Sequence, residues 1–184
     1  MSRRVGMAKI MKICALISAI ATACAILLHL KLRSNVFFAL SITFGTITYH
    51  FIMRLCVGYG IDLCFHNHMD HTKRWFQPLK FEEKLYTFLK VKHWKKHLPT
   101  YAPSSFSTAE HSLSDIVGAM CQAEIVHEII IPLSFVPVFF IPLFGEPLVF
   151  ILTSILSAVF DLLFVMIQRF NRPRLLRLLN KRKQ

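Results

Sequence analysis

Four long apolar runs dominate the pattern of hydrophobic and polar positions along the chain. They cover about residues 10–30, 35–56, 125–144 and 147–168. A helix needs about 20 apolar residues to cross the hydrocarbon core of a bilayer, and each run has roughly that length. The pattern therefore predicts an all-α, polytopic integral membrane protein with four transmembrane helices.

The third run contains three prolines, Pro132, Pro137 and Pro142. A proline has no backbone N–H to donate and its ring disturbs the preceding turn, so a regular helix is not expected to pass through all three. We expect this helix to be kinked, with neighbouring side chains bonded to the carbonyl groups that the prolines release.

The segment between the second and third runs, 65–123, is predicted to lie on the cytoplasmic side. Within it, one face of the stretch KFEEKLYTFLK carries four apolar side chains, Phe81, Leu85, Phe88 and Leu89. This spacing is typical of an amphipathic helix that lies at the membrane interface. With a basic tail at 169–184, these parts are expected to form a single membrane domain over residues 1–184.

Composition supports the prediction of a membrane protein, and the distribution of charge indicates how the chain is oriented in the membrane. The 184-residue chain is 54% hydrophobic and 17% charged, with a formal net charge of +12. Lys and Arg cluster before the first run, between Lys73 and Lys96, and in the tail. Because basic residues concentrate on the cytoplasmic side, we expect a multi-pass protein of the cell membrane with both termini in the cytoplasm. The positive charge then faces membrane lipids, and no nucleic-acid partner is expected.

The stretch FHNHMDH has the H-x-H-x-D-H spacing of the metallo-β-lactamase-type hydrolases, in which such side chains hold zinc. In those enzymes the pattern follows a strand of a large layered domain, whereas here it directly follows a transmembrane run. We therefore expect a solvated cluster beside the membrane and no functional metal. A metal-dependent membrane hydrolase is an alternative, and its ligands would be His66, His68, Asp70 and His71.

Polar residues inside or beside the apolar runs are the candidates for chemistry, because an ionisable group in a bilayer costs ~2.5–3.5 kcal/mol and needs a partner or a function. The candidates are His50, Arg54, Glu124, His127, Glu128, Asp161, Gln168 and Arg169. Under the predicted topology, nearly all of them lie toward the cytoplasmic face, although they come from three separate runs.

Spacing indicates a catalytic pair at the start of the third run. Glu124 and His127 are three positions apart, so both side chains lie on one side of a helix. A carboxylate beside a histidine can fix its tautomer and raise its basicity, which a general base acting on a hydroxyl needs. The alternative is that the two residues only cap and anchor the helix at the lipid headgroups.

The tail begins with the stretch QRFNRPRL, in which Pro173 is predicted to end the last helix. Its three arginines, Arg169, Arg172 and Arg174, carry forked donors that suit phosphate groups. The alternative is a positive stop signal for membrane insertion, which would not require Asn171 between the arginines.

Three stretches of the C-terminal half carry a family resemblance: VKHWKKHLP at 91–99, AEIVHE at 123–128 and VMIQRFNRPRL at 165–175. In them the chain resembles the glycosyl-4,4'-diaponeurosporenoate acyltransferases of bacterial carotenoid (staphyloxanthin) synthesis. The resemblance implies a small integral membrane enzyme that moves a fatty acyl group onto a sugar hydroxyl of a glycosylated carotenoid. The matching polar residues are Trp94, Lys95, Glu124, His127, Gln168, Arg169, Asn171, Arg172 and Arg174.

The resulting hypothesis is a membrane O-acyltransferase that acts on a glycosylated lipid. His127, oriented by Glu124, would deprotonate the acceptor hydroxyl, and His50 with Arg54 would stabilise the developing oxyanion. The remaining residues of the site would bind substrate: Trp94, Lys95, Glu128, Asp161, Gln168, Arg169, Asn171, Arg172 and Arg174.

The expected partners are membrane lipids, a lipid-linked glycoside as acceptor and an acyl thioester as donor. The donor would be an acyl-CoA or an acyl carrier protein, whose phosphates the arginines would hold, and no cofactor is expected. Because the N-terminal half departs from the family, a carotenoid glycoside and another glycolipid are both open as acceptors. A non-enzymatic membrane protein that binds a lipid or a protein partner is the alternative from a different class.

Overall fold

The computed structural model describes residues 7–98, 107 and 110–183. Within these residues every regular element is helical, so the predicted all-α class is confirmed. The α-helices are α1 Met7–Leu32, α2 Asn35–Phe65, α3 Glu82–Phe88, α4 Val91–Trp94, α5 Leu113–Leu133, α6 Ile141–Phe144 and α7 Pro147–Lys183. Short 3₁₀ helices lie at Arg74–Phe76, Lys95–His97 and Val136–Phe140.

Four stretches of helix are long and apolar enough to cross a membrane, which confirms that part of the prediction. They are Met7–Leu32, Asn35–Phe65, Leu113–Phe144 and Pro147–Lys181.

Helix α5 begins at Leu113, well before the predicted start of the third run at 125. Ser112 and Asp115 form a reciprocal cap, since the Ser112 hydroxyl donates to Asp115 Oδ2 at 2.7 Å and accepts from the Asp115 N–H at 3.2 Å. The first turns bury Ile116 and Val117 in spite of the polar residues among them. A window that averages hydropathy therefore misses this part of the helix.

The prediction that Pro173 ends the last helix is wrong, because α7 continues through this proline to Lys183. The residues around the proline are fixed by packing: Phe170 contacts Tyr86 edge to face at 5.9 Å, and Arg172 is buried. These contacts outweigh the single backbone hydrogen bond that a proline removes.

By its contacts the chain divides into two units. Unit 1 consists of Met1–Val57 and Ile129–Phe160, and unit 2 consists of Gly58–Glu128 and Asp161–Gln184.

Unit 1 contains the predicted kink of the third transmembrane stretch. Helix α5 ends at Leu133, and a 3₁₀ helix follows over Val136–Phe140. In a continued helix the Leu133 carbonyl would accept from residue 137, but Pro137 has no N–H. The Tyr49 hydroxyl donates to that carbonyl at 2.8 Å instead. A neighbouring side chain thus satisfies a carbonyl that a proline releases, as the sequence predicts.

Unit 1 also contains a cavity of about 420 Å³ that is open to the outside of the protein. Its lining includes Ile42, Gly45, Phe140 and Phe150. Two hydroxyls of the lining, on Ser41 and Thr46, donate to carbonyls of their own helix at 2.7 and 2.8 Å. The walls are therefore mainly hydrocarbon, and these two hydroxyls are already bonded.

Unit 2 is built around a small core of Tyr86, Val91 and Met166, against which Trp94 and Phe170 pack. Helix α3 turns Glu82 and Tyr86 toward this interior. The four apolar residues of the predicted amphipathic face point away from it and are exposed: Phe81, Leu85, Phe88 and Leu89. An amphipathic helix that lies at a membrane interface stays a prediction.

Candidate active site

Two arginines of α7 hold two buried glutamates in unit 2. Arg169 donates from Nε to Glu82 Oε1 and from Nη1 to Glu124 Oε1, each at 2.5 Å. Arg172 donates from Nη1 to the second carboxylate oxygen of Glu124. Glu124 has no solvent exposure and Arg172 is only 2% exposed. Both oxygens of Glu124 are thus used in a buried ion-pair cluster, here called the Glu82–Arg172 cluster after its first and last residues.

The same guanidinium groups bind the backbone of the segment 75–77. Arg169 donates to the carbonyls of Trp75 and Gln77 at 3.2 and 3.1 Å. Arg172 donates to the carbonyl of Phe76 at 2.7 Å and lies over its ring at 5.2 Å. The Glu82–Arg172 cluster therefore joins α3, α5 and α7 to the 3₁₀ helix Arg74–Phe76 and the residue that follows it.

This geometry corrects two expectations. Glu124 contacts Arg169 and Arg172, so it does not orient His127. The two arginines spend their donors on carboxylates and carbonyls inside the protein, so they are not placed to hold substrate phosphates. The physical reason is that opposite charges in a poorly solvated interior must pair with each other or remain uncompensated.

The carboxylate that orients His127 is Asp161. Asp161 Oδ1 lies 2.8 Å from His127 Nδ1, and the imidazole stacks on Phe164 with ring centroids 4.7 Å apart and planes 10° apart. Asp161 is 1% exposed, while the His127 side chain is 20% exposed. A carboxylate accepts the Nδ1 proton, so the neutral ring carries its lone pair on Nε2. His127 can therefore act as a base through Nε2.

Glu128 binds an indole. The Trp75 Nε1–H donates to Glu128 Oε2 at 2.7 Å. Glu128 thus helps to place Trp75, whose ring is otherwise largely exposed. Gln168, the next predicted residue on α7, is half-buried.

Lys95 and Arg174 meet at one aromatic ring. Lys95 Nζ lies 4.8 Å and Arg174 Cζ 4.3 Å from the centroid of Phe170. Lys95 also donates to Asn171 Oδ1 at 2.5 Å. Burial lowers the pKa of Lys95, and the positive charges of Arg174 and Lys92 lower it further. Asn171, which the sequence predicts to bind substrate, is here the polar contact of this lysine.

Trp94 donates its indole N–H to the Leu89 carbonyl at 2.9 Å, so the ring fastens the end of α3 to α4. His50 and Arg54 lie in unit 1. There Arg54 donates to the His50 carbonyl at 3.0 Å and to Ser157 Oγ at 2.7 Å. The predicted oxyanion role of these two residues is untested by this geometry.

The histidine-rich stretch forms a turn that is docked on α5. His66 and Asn67 have positive φ values of 47° and 62°. The Asn67 N–H donates to Gln122 Oε1 at 2.7 Å, and a Cβ atom on Gly118 would lie 2.5 Å from the Asn67 carbonyl oxygen. Only a glycine at 118 allows the turn to approach the helix so closely.

The four ligand-type side chains of this turn do not converge. Across 7–98, 107 and 110–183, no three His, Cys, Asp or Glu side chains are grouped so that they could hold a metal ion. Asp70 instead accepts from the Thr72 hydroxyl at 2.7 Å and from its N–H at 2.9 Å, and these bonds lower the pKa of Asp70. The metal-dependent alternative, which needs His66, His68, Asp70 and His71 together, gains no support.

Sequence reasoning missed the importance of Glu82, Trp75 and Phe170. Glu82 reads as the polar face of an amphipathic helix, and its burial depends on Arg169 from a distant helix. One signal was available for the partner of His127, because Asp161 is the only acidic residue of the fourth run.

A search of curated proteins and a search of solved structures each give no match. The family model for glycosyl-4,4'-diaponeurosporenoate acyltransferase matches residues 72–181, more than half of the chain. The matched range contains the Glu82–Arg172 cluster, the His127–Asp161 pair and the Lys95–Phe170–Arg174 group. The chain is therefore an acyltransferase and belongs to the glycosyl-4,4'-diaponeurosporenoate acyltransferase family.

Proposed function

We propose that the protein is a membrane O-acyltransferase that transfers a fatty acyl group from a thioester donor to a hydroxyl of a glycosylated lipid. The observation that carries this proposal is the His127–Asp161 pair, because an imidazole fixed by a buried carboxylate is suited to take a proton from a hydroxyl. The family name supports a carotenoid glycoside as the acceptor, with the sugar supplying the hydroxyl.

In the proposed reaction, His127 Nε2 accepts the proton of the acceptor hydroxyl while its oxygen attacks the thioester carbonyl. The C–O bond forms and the carbonyl electrons move onto the oxygen. Collapse of this tetrahedral intermediate breaks the C–S bond, and the leaving thiolate takes the proton from the imidazolium. Asp161 stabilises the imidazolium that exists between the two steps, and stacking on Phe164 holds the ring in one orientation.

The lipid character of the substrates is supported by the hydrocarbon-lined cavity of unit 1. Its volume of about 420 Å³ corresponds to roughly 14 groups the size of a water molecule or methylene, at about 30 Å³ each. We assign this cavity to the apolar chain of a substrate. Long-chain thioesters are made in the cytoplasm, which agrees with the predicted topology, in which both termini and the segment 65–123 are cytoplasmic.

The proposal is tested by measuring which acylated lipids the cells produce. A strain that lacks the gene is expected to accumulate the unacylated glycolipid, and mass spectrometry of its lipids would identify both the acceptor and the acyl group. Complementation with His127→Ala should fail to restore the acylated product, whereas His93→Ala, at an exposed histidine of α4, should restore it. A folded His127→Ala protein with full acyl transfer would refute the assignment of the base.

The same experiment separates the enzyme from the non-enzymatic alternative. A protein that only bound a lipid or a partner would leave the acylation state of every lipid unchanged when the gene is deleted. Membership of an acyltransferase family supports the enzyme.

A further inference from the structure

Lys95 and Arg174 are held in place by groups that do not neutralise them. Both cations lie against the ring of Phe170, at 4.8 and 4.3 Å from its centroid. The ring is itself fixed by an edge-to-face contact with Tyr86, with the planes 82° apart. The polar partner of Lys95 is the side-chain oxygen of Asn171, a neutral acceptor. Two cations are thus held against one ring, and among the residues described neither is paired with a carboxylate.

The chain has 22 Lys and Arg residues but only 10 Asp and Glu residues, so carboxylates cannot pair with every cation. All ten Asp and Glu residues belong to the described part of the sequence, and none of them forms an ion pair with Lys95 or Arg174 there. Arg169 and Arg172, on the same helix as Arg174, are bonded to carboxylates. Arg169 and Arg172 therefore stabilise the fold, whereas Arg174 can bind an anion from outside the protein.

Basic residues that only anchored the protein to lipid headgroups would not need to be fixed against an aromatic ring. Lys96 and Arg177 are basic neighbours of the two residues, and both are exposed. Arg177 donates to the Pro173 carbonyl at 3.3 Å, without a contact to the ring among the residues described. Lys95 is half-buried, and burial together with like charges lowers its pKa, so the protein holds this ammonium group at a cost. An anionic ligand would compensate for that cost.

We propose that Lys95 and Arg174, placed by Phe170 and Asn171, form a binding site for a phosphate group. The ammonium of Lys95 has three N–H donors, of which one is used by Asn171, and the guanidinium of Arg174 supplies a planar fork for phosphate oxygens. Resting on the proposed function, the phosphate belongs to the acyl donor, in the nucleotide or the phosphopantetheine arm. A phospholipid headgroup carries the same chemistry and is the other source.

The test measures binding without turnover. Coenzyme A would be titrated calorimetrically into the full-length protein in zwitterionic nanodiscs. The double variant Lys95→Gln with Arg174→Gln is expected to weaken coenzyme A binding by about tenfold or more, since two charge-assisted contacts are lost. The matched double variant Lys96→Gln with Arg177→Gln removes the same charge from exposed neighbours and should bind within about twofold of the parent.

An isosteric variant provides a second, independent measurement. Asn171→Asp places a carboxylate beside Lys95, so it supplies an internal anion that competes with the ligand. This variant should keep or raise the melting temperature while coenzyme A affinity falls. If the Lys95–Asn171 contact had a purely structural role, the Asn171→Asp variant would bind coenzyme A with unchanged affinity, which would contradict the proposal.

The second arm distinguishes the source of the phosphate. Binding of a short-chain, water-soluble phosphatidylglycerol to the same variants in nanodiscs would be compared with binding of the corresponding phosphatidylcholine. Loss of phosphatidylglycerol binding with unchanged coenzyme A affinity would assign the site to a headgroup and overturn the donor assignment. If neither ligand is affected, the phosphate site is refuted. His127→Ala should retain coenzyme A binding, so failure of the proposed catalysis and failure of this site give different results.

Discussion

Arg172 and Glu124 form an ion pair from which solvent is almost fully excluded, with exposures of 2% and 0%. Breaking a buried pair from one side leaves an uncompensated charge, which costs about 3–5 kcal/mol. Glu124→Gln is therefore expected to lower the melting temperature in detergent strongly, and to lower activity only as far as folded protein is lost. Thermal unfolding followed by tryptophan fluorescence would measure this.

Glu83→Gln is the matched control for this prediction. Glu83 lies next to Glu82 on α3 but is exposed, so its neutralisation should leave the melting temperature nearly unchanged. Adding Arg172→Met to Glu124→Gln removes the orphaned charge and should recover part of the loss. A stable Glu124→Gln protein without activity would contradict this structural role and return Glu124 to the chemistry.

Much of the fold could be predicted from the sequence because the membrane imposes it. An apolar run of bilayer length has to be a helix. Pro137 has to release the Leu133 carbonyl, which accepts a hydrogen bond from the Tyr49 hydroxyl. The ends of the helices could not be predicted as well. The start of α5 and the continuation of α7 through Pro173 depend on burial against other segments, which hydropathy along one segment does not contain.

Some residues of the candidate site, such as His127 and Asp161, could be named from the sequence, whereas their pairing could not. Spacing along one helix favoured Glu124 as the partner of His127, but the partner is Asp161 from another helix. Glu124 instead pairs with two arginines, because a charged guanidinium attracts a carboxylate more strongly than a neutral imidazole does. Which ionisable groups pair across helices is a property of the tertiary structure, and local periodicity cannot supply it.

Gly118 is expected to be essential for docking of the histidine-rich turn. A Cβ at this position would lie 2.5 Å from the Asn67 carbonyl oxygen, a backbone atom that cannot move alone. Gly118→Ala should therefore destabilise the protein by about 1–3 kcal/mol despite the better helix propensity of alanine. Gly58→Ala, whose Cβ would meet nothing within 4 Å, is the control and should be neutral or stabilising. Equal melting temperatures for the two variants would contradict the close approach.

Coenzyme A binding is expected to weaken as the pH rises, at a lower pH than an ordinary lysine would give. Burial and the charges of Arg174 and Lys92 lower the pKa of Lys95, and loss of its proton removes one of the two cations. Tyr86, which contacts Phe170, does not interfere, because burial first and the charge of Glu82 second raise its pKa to about 12. Calorimetric titrations between neutral pH and pH ~10 would define the step.

Lys95→Arg is the diagnostic variant for this pH dependence. A guanidinium stays protonated throughout the range, so the variant should bind coenzyme A with little change in affinity as the pH rises. If parent and Lys95→Arg lose affinity in parallel, a group other than Lys95 controls the binding.

The cavity of unit 1 is expected to select the length of a hydrocarbon chain. Ser41 lies in its lining, so Ser41→Phe should fill part of the 420 Å³ and shift the product toward shorter chains. Thr43→Phe adds the same ring to the same helix outside the lining and serves as the control. Mass spectrometry of the acylated lipids gives the chain distribution. An identical distribution in the parent and both variants would show that the substrate chain lies elsewhere.

Asp161→Asn is expected to reduce kcat much more than it changes KM. The amide can no longer stabilise an imidazolium at His127, and it can donate to Nδ1 and so move the proton to Nε2, where the base is needed. General-base catalysis contributes about 10²- to 10⁴-fold, so a loss of at least about 10²-fold is expected, close to that of His127→Ala. The double variant should be no worse than either single variant, because both remove one function. Asp70→Asn, in the exposed turn, should be fully active. Additive losses in the double variant would mean that Asp161 and His127 act separately.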